Sequence, residues 1–90
     1  MNEKMKYIIV ELDGEIPIPF IFPEIIPHDE FYMLVRQKIS NYKPKVVGAG
    51  FVYLVLNNIT CYGTSISLGI DSRFGIDEDI IRKNLGKENE

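Results

Sequence analysis

The stretch VVGAGFVYLVLNNITCYGTSISLGI, Val46–Ile70, reads as two long strands joined at Asn57-Asn58. Val46–Leu56 is rich in Val, Phe, Tyr and Leu, and Ile59–Ile70 mixes Ile, Thr, Tyr and Leu with small residues; both suit a pleated, half-buried surface. Asn57-Asn58 tolerates the positive φ that a two-residue type I′ turn needs at both central positions. That turn sets Leu56 opposite Ile59, Leu54 opposite Cys61, Val52 opposite Gly63 and Gly50 opposite Ser65. Alternation then gives the ribbon two unlike faces. One carries Val47, Ala49, Phe51, Tyr53 and Val55 against Thr60, Tyr62, Thr64, Ile66 and Leu68, and is the better core face. The other is apolar near the turn but nearly bare further down, at Gly48, Gly50, Gly63, Ser65, Ser67 and Gly69. Glycines facing one another inside a ribbon point to a close approach. A helix of the same chain packed tight on the sheet, a β-bulge, or a groove for a partner or ligand would each account for it.

Upstream, Lys6–Leu12 (KYIIVEL) reads as a strand and Ile16–Phe22 (IPIPFIF) as its partner. Pro17 and Pro19 lack an amide hydrogen, and two residues apart they point that missing donor to one side. A two-residue turn at Asp13-Gly14 would put both prolines at hydrogen-bonded sites. A loop of three or four residues turns them outward, which predicts the longer loop and places Ile16–Phe22 at a sheet edge. His28-Asp29 starts a helix that carries Phe31, Leu34, Val35, Lys38 and Ile39 on one stripe, and Ser40-Asn41 with Pro44 ends it. A second helix is expected from Asp77 to about Leu85, with Ile80, Ile81, Asn84 and Leu85 near one face and Asp77, Glu78 and Asp79 as acids at its start. The resulting class is α+β: a small single-layer antiparallel sheet built from two hairpins, with two helices on one face, in the order ββαββα. Residues 1–90 form one domain with frayed ends at about 1–4 and 87–90.

With 46% hydrophobic residues in 90, a core is affordable but thin, so a homodimer is a reasonable expectation. The formal net charge of −3 is ordinary for a globular protein. No apolar run reaches the length of a membrane span or a signal peptide, and the single cysteine excludes an internal disulfide; a cytoplasmic location is expected. The chemistry-bearing residues form no recognisable catalytic or metal constellation. His28 beside Asp29 reads as a helix-start context, Cys61 as an inert strand residue, and Gly48-Ala49-Gly50 precedes a strand where a nucleotide loop would precede a helix. No catalytic, cofactor-binding or metal-binding residue is assigned, no cofactor is expected, and the chain is read as a non-enzyme. Arg36, Lys38, Lys43 and Lys45 give His28–Thr60 four basic against two acidic residues, which reads as a solvated helix face; nucleic acid is not the expected partner.

VVGAGF (Val46–Phe51), CYGTSISLGIDSR (Cys61–Arg73) and DGEIPIPF (Asp13–Phe20) resemble a pattern in small uncharacterised proteins of bacteriophages and prophages. The resemblance implies a setting, a small accessory protein in a bacterial or phage cytoplasm, and brings no activity with it. The expected function is therefore a non-enzymatic protein-interaction module acting on a host or phage protein. Its candidate contact residues are Gly48, Gly50, Gly63, Ser65 and Ser67 on the bare patch, the apolar hairpin end at Leu54, Leu56 and Ile59, and Ser72 and Arg73 in the segment after the strand. The alternative is a small ligand-binding or enzymatic domain with its site on the Gly/Ser-rich face, using Tyr62, Ser65, Ser67 or Arg73. Gly50→Arg is expected to abolish binding without loss of fold if that patch is a free groove.

Overall fold

The computed structural model describes residues 3–55 and 58–88. Strands β1 (Glu3–Leu12) and β2 (Ile16–Phe22) pair antiparallel with Leu12 opposite Ile16, so the loop between them is the longer one that the prolines demand. Pro17 then faces Glu11 and Pro19 faces Ile9. Because proline cannot donate, the ladder bonds of β2 fall on the residues between, and the prolines' missing donors lie along the open edge. Asp13 and Gly14 take positive φ in that loop, and the Asp13 amide donates to the Tyr42 carbonyl at 2.8 Å.

Helix α1 (His28–Ile39) follows, then a 3-10 turn (Ser40–Tyr42), strand β3 (Pro44–Val55) and strand β4 (Asn58–Tyr62). The four strands form one antiparallel sheet in the order β2-β1-β3-β4, which makes the first strand a central one. Opposite β1, β3 carries one extra residue: Ile9 faces Gly48 while Val10 faces Val46. Val47 is the bulged residue, and it turns to the opposite side from Val46.

Three expectations about the Val46–Ile70 ribbon are corrected. Its register is two residues away from the expected one, with Val55 opposite Asn58, Leu54 opposite Ile59 and Val52 opposite Cys61. Asn58 belongs to β4, and the other half of the expected turn, Asn57, lies outside the described residues together with Leu56. A slip of two, unlike a slip of one, leaves the paired side chains of β3 and β4 on their expected faces, while the bulge exchanges the faces of Val46 and Val47. Next, the second strand stops at Tyr62. Gly63, at φ +78°, turns the chain away, and Thr64–Ser65 (β5) pairs with Ile70–Asp71 (β6) as a separate two-stranded ribbon. Finally, the face expected to be the better core face is covered over only part of its length.

The helices also lie on opposite sides of the sheet, where one side was expected. Tyr7, Ile9, Val52 and Cys61 form a buried cluster with Ile81 of α2 (Ile76–Glu88). Ile8, Val10, Phe22, Val46 and Ala49 form a second one, packed by Phe31, Tyr32 and Ile39 of α1 and by Leu68 and Ile70. Neighbouring residues of β1 thus feed different cores, so the near-continuous apolar run YIIV belongs to a strand buried on both faces. On α1, Val35 is buried but Leu34, expected in the same stripe, is 59% exposed. Fraying was expected at 1–4 and 87–90; β1 already includes Glu3 and Lys4 and α2 extends to Glu88, while residues 1, 2, 89 and 90 lie outside the described residues. No described helix is long and apolar enough to cross a membrane.

Candidate functional site

Helix α1 and the 63–72 loop cover the α1 side of the sheet over Ile8, Val10 and Ala49, and leave the opposite end of that side open. Alternation places Lys4 and Lys6 of β1, Phe51 and Tyr53 of β3, and Thr60 and Tyr62 of β4 there. The register sets them in two rows: Lys6, Phe51 and Tyr62, then Lys4, Tyr53 and Thr60. The Phe51 and Tyr62 rings stack at 5.7 Å and 27°. The Lys4 ammonium sits 4.7 Å over the Phe51 ring and pairs with Glu24 at 3.0 Å. Lys6 is half-buried and donates to the Ile26 carbonyl at 3.0 Å; among the described residues no carboxylate pairs with it.

His28, on the same side of the sheet, fixes this plate at its covered end. Its ring is 4% exposed and meets the rings of Phe22 and Phe51 edge-on, at 5.5 and 5.9 Å. Its Nε2 lies 2.8 Å from the Gly50 carbonyl; a carbonyl only accepts, so Nε2 carries the proton. Burial lowers the His28 pKa, and Lys6 adds to the effect. His28 opens α1 as the sequence predicts, and it is at the same time a buried tie between α1 and β3.

Next to the plate, a cleft of about 500 Å³ opens between Lys6, His28, Phe51 and the 63–72 loop, which contributes Thr64, Ile66 and Ser67. That loop is held by its own hydrogen bonds: the Gly69 amide to the Ser65 carbonyl at 2.8 Å, the Leu68 amide to Ser65 Oγ at 3.2 Å, and Ser72 to the Gly63 carbonyl. Ser67 Oγ accepts from the Asp29 amide at 3.2 Å and links the loop to the start of α1. On this frame Ile66 is 90% exposed.

The expected contact residues separate. Gly63 and Ser67 line the cleft. Gly48 and Gly50 are buried, and Ser65 is fully buried with its hydroxyl inside the loop. A Cβ at Gly48 would overlap the Asp77 carboxylate, and one at Gly50 would press on the Tyr62 carbonyl, so the bare patch is the close approach of α2 and of the chain after β4. Gly50→Arg would disrupt this packing and cannot serve as a fold-neutral probe. Leu54 and Ile59 pack on the α2-side core, half-buried. Ser72 closes the loop, and Arg73 pairs with Asp77 through Nη2 at 2.8 Å.

The acids expected at the start of α2 are there, and two of them, Asp77 and Glu78, turn inward, while Asp79 stays exposed and pairs with Lys83. Asp77 is fully buried and accepts from Tyr7 Oη at 2.5 Å, the Arg73 amide at 2.9 Å and Arg73 Nε at 2.9 Å. Burial and the Asp77 bond hold the Tyr7 phenol protonated far above its ordinary range. Glu78 accepts from the Gly75 amide at 2.5 Å, reaching back over the helix start as the acid of a capping box does, and from the Cys61 amide at 3.0 Å. Burial, with the Glu78 charge behind it, pushes the Cys61 thiol up to about 12, so it is not a thiolate nucleophile at neutral pH. Each of these groups is engaged in holding α2 to the sheet.

No protein-family model, curated protein or solved structure matches the chain. Among the described residues no group of three His, Cys, Asp or Glu side chains could hold a metal ion. Sequence reasoning missed Lys4, Lys6, Phe51 and Tyr53 as surface residues of one site. The available signal was the alternation in β1, where Lys4 and Lys6 continue the side of Ile8 and Val10 outward into solvent.

Proposed function

We propose that this chain acts as a non-enzymatic protein-interaction module, a phage- or prophage-encoded accessory protein of the cytoplasm whose partner docks beside the start of α2. The observation that supports it is Phe74, 87% exposed between two residues whose amides are held by buried acids: Arg73 by Asp77 and Gly75 by Glu78. A phenylalanine presented to water on a fixed backbone leaves no loop to be ordered on binding, which suits an interface anchor. Around it, Ile76 is 53% exposed, and Ile59 lines a hollow of about 320 Å³ with Thr60, Glu78 and Arg82. This surface continues from the apolar hairpin end that the sequence singles out. The phage or prophage setting rests on the sequence resemblance alone.

Affinity capture from cells expressing the protein tests the reading, with wild type beside Phe74→Ser. A protein retained by wild type and lost with Phe74→Ser, while circular dichroism shows the same fold, is the expected outcome. Equal capture by both would remove the reading. If the protein held is the chain itself, sedimentation showing a dimer that Phe74→Ser dissociates identifies a second copy as the partner.

A further inference from the structure

The open sheet face at Lys4, Lys6, Phe51, Tyr53 and Tyr62 is separate from the Phe74 surface. We infer that it binds single-stranded nucleic acid, with bases stacked on Tyr62 and Tyr53 and a phosphate held by Lys6. Aromatic rings on an antiparallel sheet bind unpaired bases because every base has a π-face that can stack on them.

Two features of this face suit that ligand. The rings form a plate: Phe51 and Tyr62 are already stacked, buried His28 braces Phe51 edge-on, and Tyr53 and Tyr62 are each 37% exposed. Lys6 is a half-buried cation whose one partner among the described residues is a neutral carbonyl, so an anion beside it gains a charge-assisted bond without breaking an ion pair. The adjoining cleft of about 500 Å³, walled by Phe51, Pro27 and Ile66, has room for a further nucleotide of a strand crossing the plate.

The same features disfavour other occupants. A second copy docked through this face would bring two lysine-bearing patches of the same sign together, since a two-fold interface pairs a patch with itself. A proline-rich segment seats in slots between separated rings, whereas these rings lie against one another. The net charge of −3 keeps the interaction modest, and with Lys6 bonded only to a carbonyl among the described residues and Lys4 already paired to Glu24, one to two phosphates are contacted.

Fluorescence anisotropy with labelled oligo-dT and oligo-rU of about 12 nucleotides, within the span of known single-strand sites, tests the inference. The expected dissociation constant is tens of micromolar at low salt. It should weaken about three- to sevenfold between 50 and 200 mM salt, the dependence of one to two phosphates on a single strand. Tyr62→Val, which keeps a strand-forming residue, and Lys6→Met should each weaken binding at least fivefold. Lys83→Met, an equal loss of charge on the opposite helix, should leave it unchanged. Amide chemical shifts of each variant establish that the fold is kept. No anisotropy change at millimolar protein, unaltered binding by Lys6→Met, or equal loss with Lys83→Met would each overturn the inference. A mononucleotide bound as tightly as the oligomer would overturn the strand-binding claim, and a proline-rich peptide that displaces no oligonucleotide yet binds the plate more tightly would do the same. None of these results bears on Phe74.

Discussion

Asp77 accepts three hydrogen bonds with no exposed surface, and its charge is opposed by a single arginine that is still one-third accessible. Removing the carboxylate strands both partners, so Asp77→Ala should cost about 3–5 kcal/mol. Tyr7→Phe leaves the Arg73 pair in place and should cost about 1–2 kcal/mol. Urea unfolding of the two variants checks the ranking; equal losses would show that the ion pair adds nothing to the phenol bond. His28 makes a different prediction. Burial lowers its folded-state pKa below the ordinary value, so as pH falls the unfolded chain takes up the proton first. Its contribution is therefore complete above about pH 6.5 and is lost progressively below that, toward the folded pKa. Unfolding midpoints measured between pH 8 and 5 should decline with acid in the wild type and decline less in His28→Gln, whose amide can still donate to the Gly50 carbonyl. Parallel curves would place the acid sensitivity elsewhere.

At the level of elements, Glu78 joins α2 to β4 by capping one and covering an outward amide of the other. Glu78→Ala leaves the Cys61 amide without its acceptor and should lose about 1–3 kcal/mol, while Glu78→Gln, which keeps acceptor oxygen, should lose less; thermal unfolding reads the difference. Several elements were legible beforehand for local reasons. Two prolines at alternate positions specify the β1–β2 loop length, and His28-Asp29 with Ser40-Asn41 brackets α1. The break at Tyr62 was not legible. Ser65, Ser67 and Gly69 continue the strand's alternation, and only the loop's internal hydrogen bonds and the left-handed Gly63 show that the chain leaves the sheet. The bare patch was legible as a close approach, but the group that approaches, an aspartate, was hidden because acids opening a helix ordinarily face solvent. The candidate plate was illegible for a further reason: Lys6 and Phe51 become neighbours only through the pairing of β1 with β3.

For the whole molecule, both lateral edges of the sheet are guarded. β2 offers prolines, and β4 has its Cys61 amide occupied by Glu78. Strand-to-strand pairing of folded chains through these edges is thereby disfavoured. Restoring donors on one edge should permit it. Pro17→Val with Pro19→Val is expected to produce concentration-dependent association by sedimentation beyond that of the parent protein at the same concentration; identical sedimentation would show that the prolines are not what keeps the edge free.

The Tyr7–Asp77 bond joins positions 70 residues apart, the first strand to the last helix. A chain leaving the ribosome exposes β1 early, then holds its phenol without a partner until α2 has been translated. A chain ending before Ile76 therefore presents the site that α2 otherwise fills: the bare backbone of Gly48, an unmatched phenol and the uncovered amide of Cys61. Until the last helix docks, this side of the first strand is open to other binders, a chaperone or a protease among them.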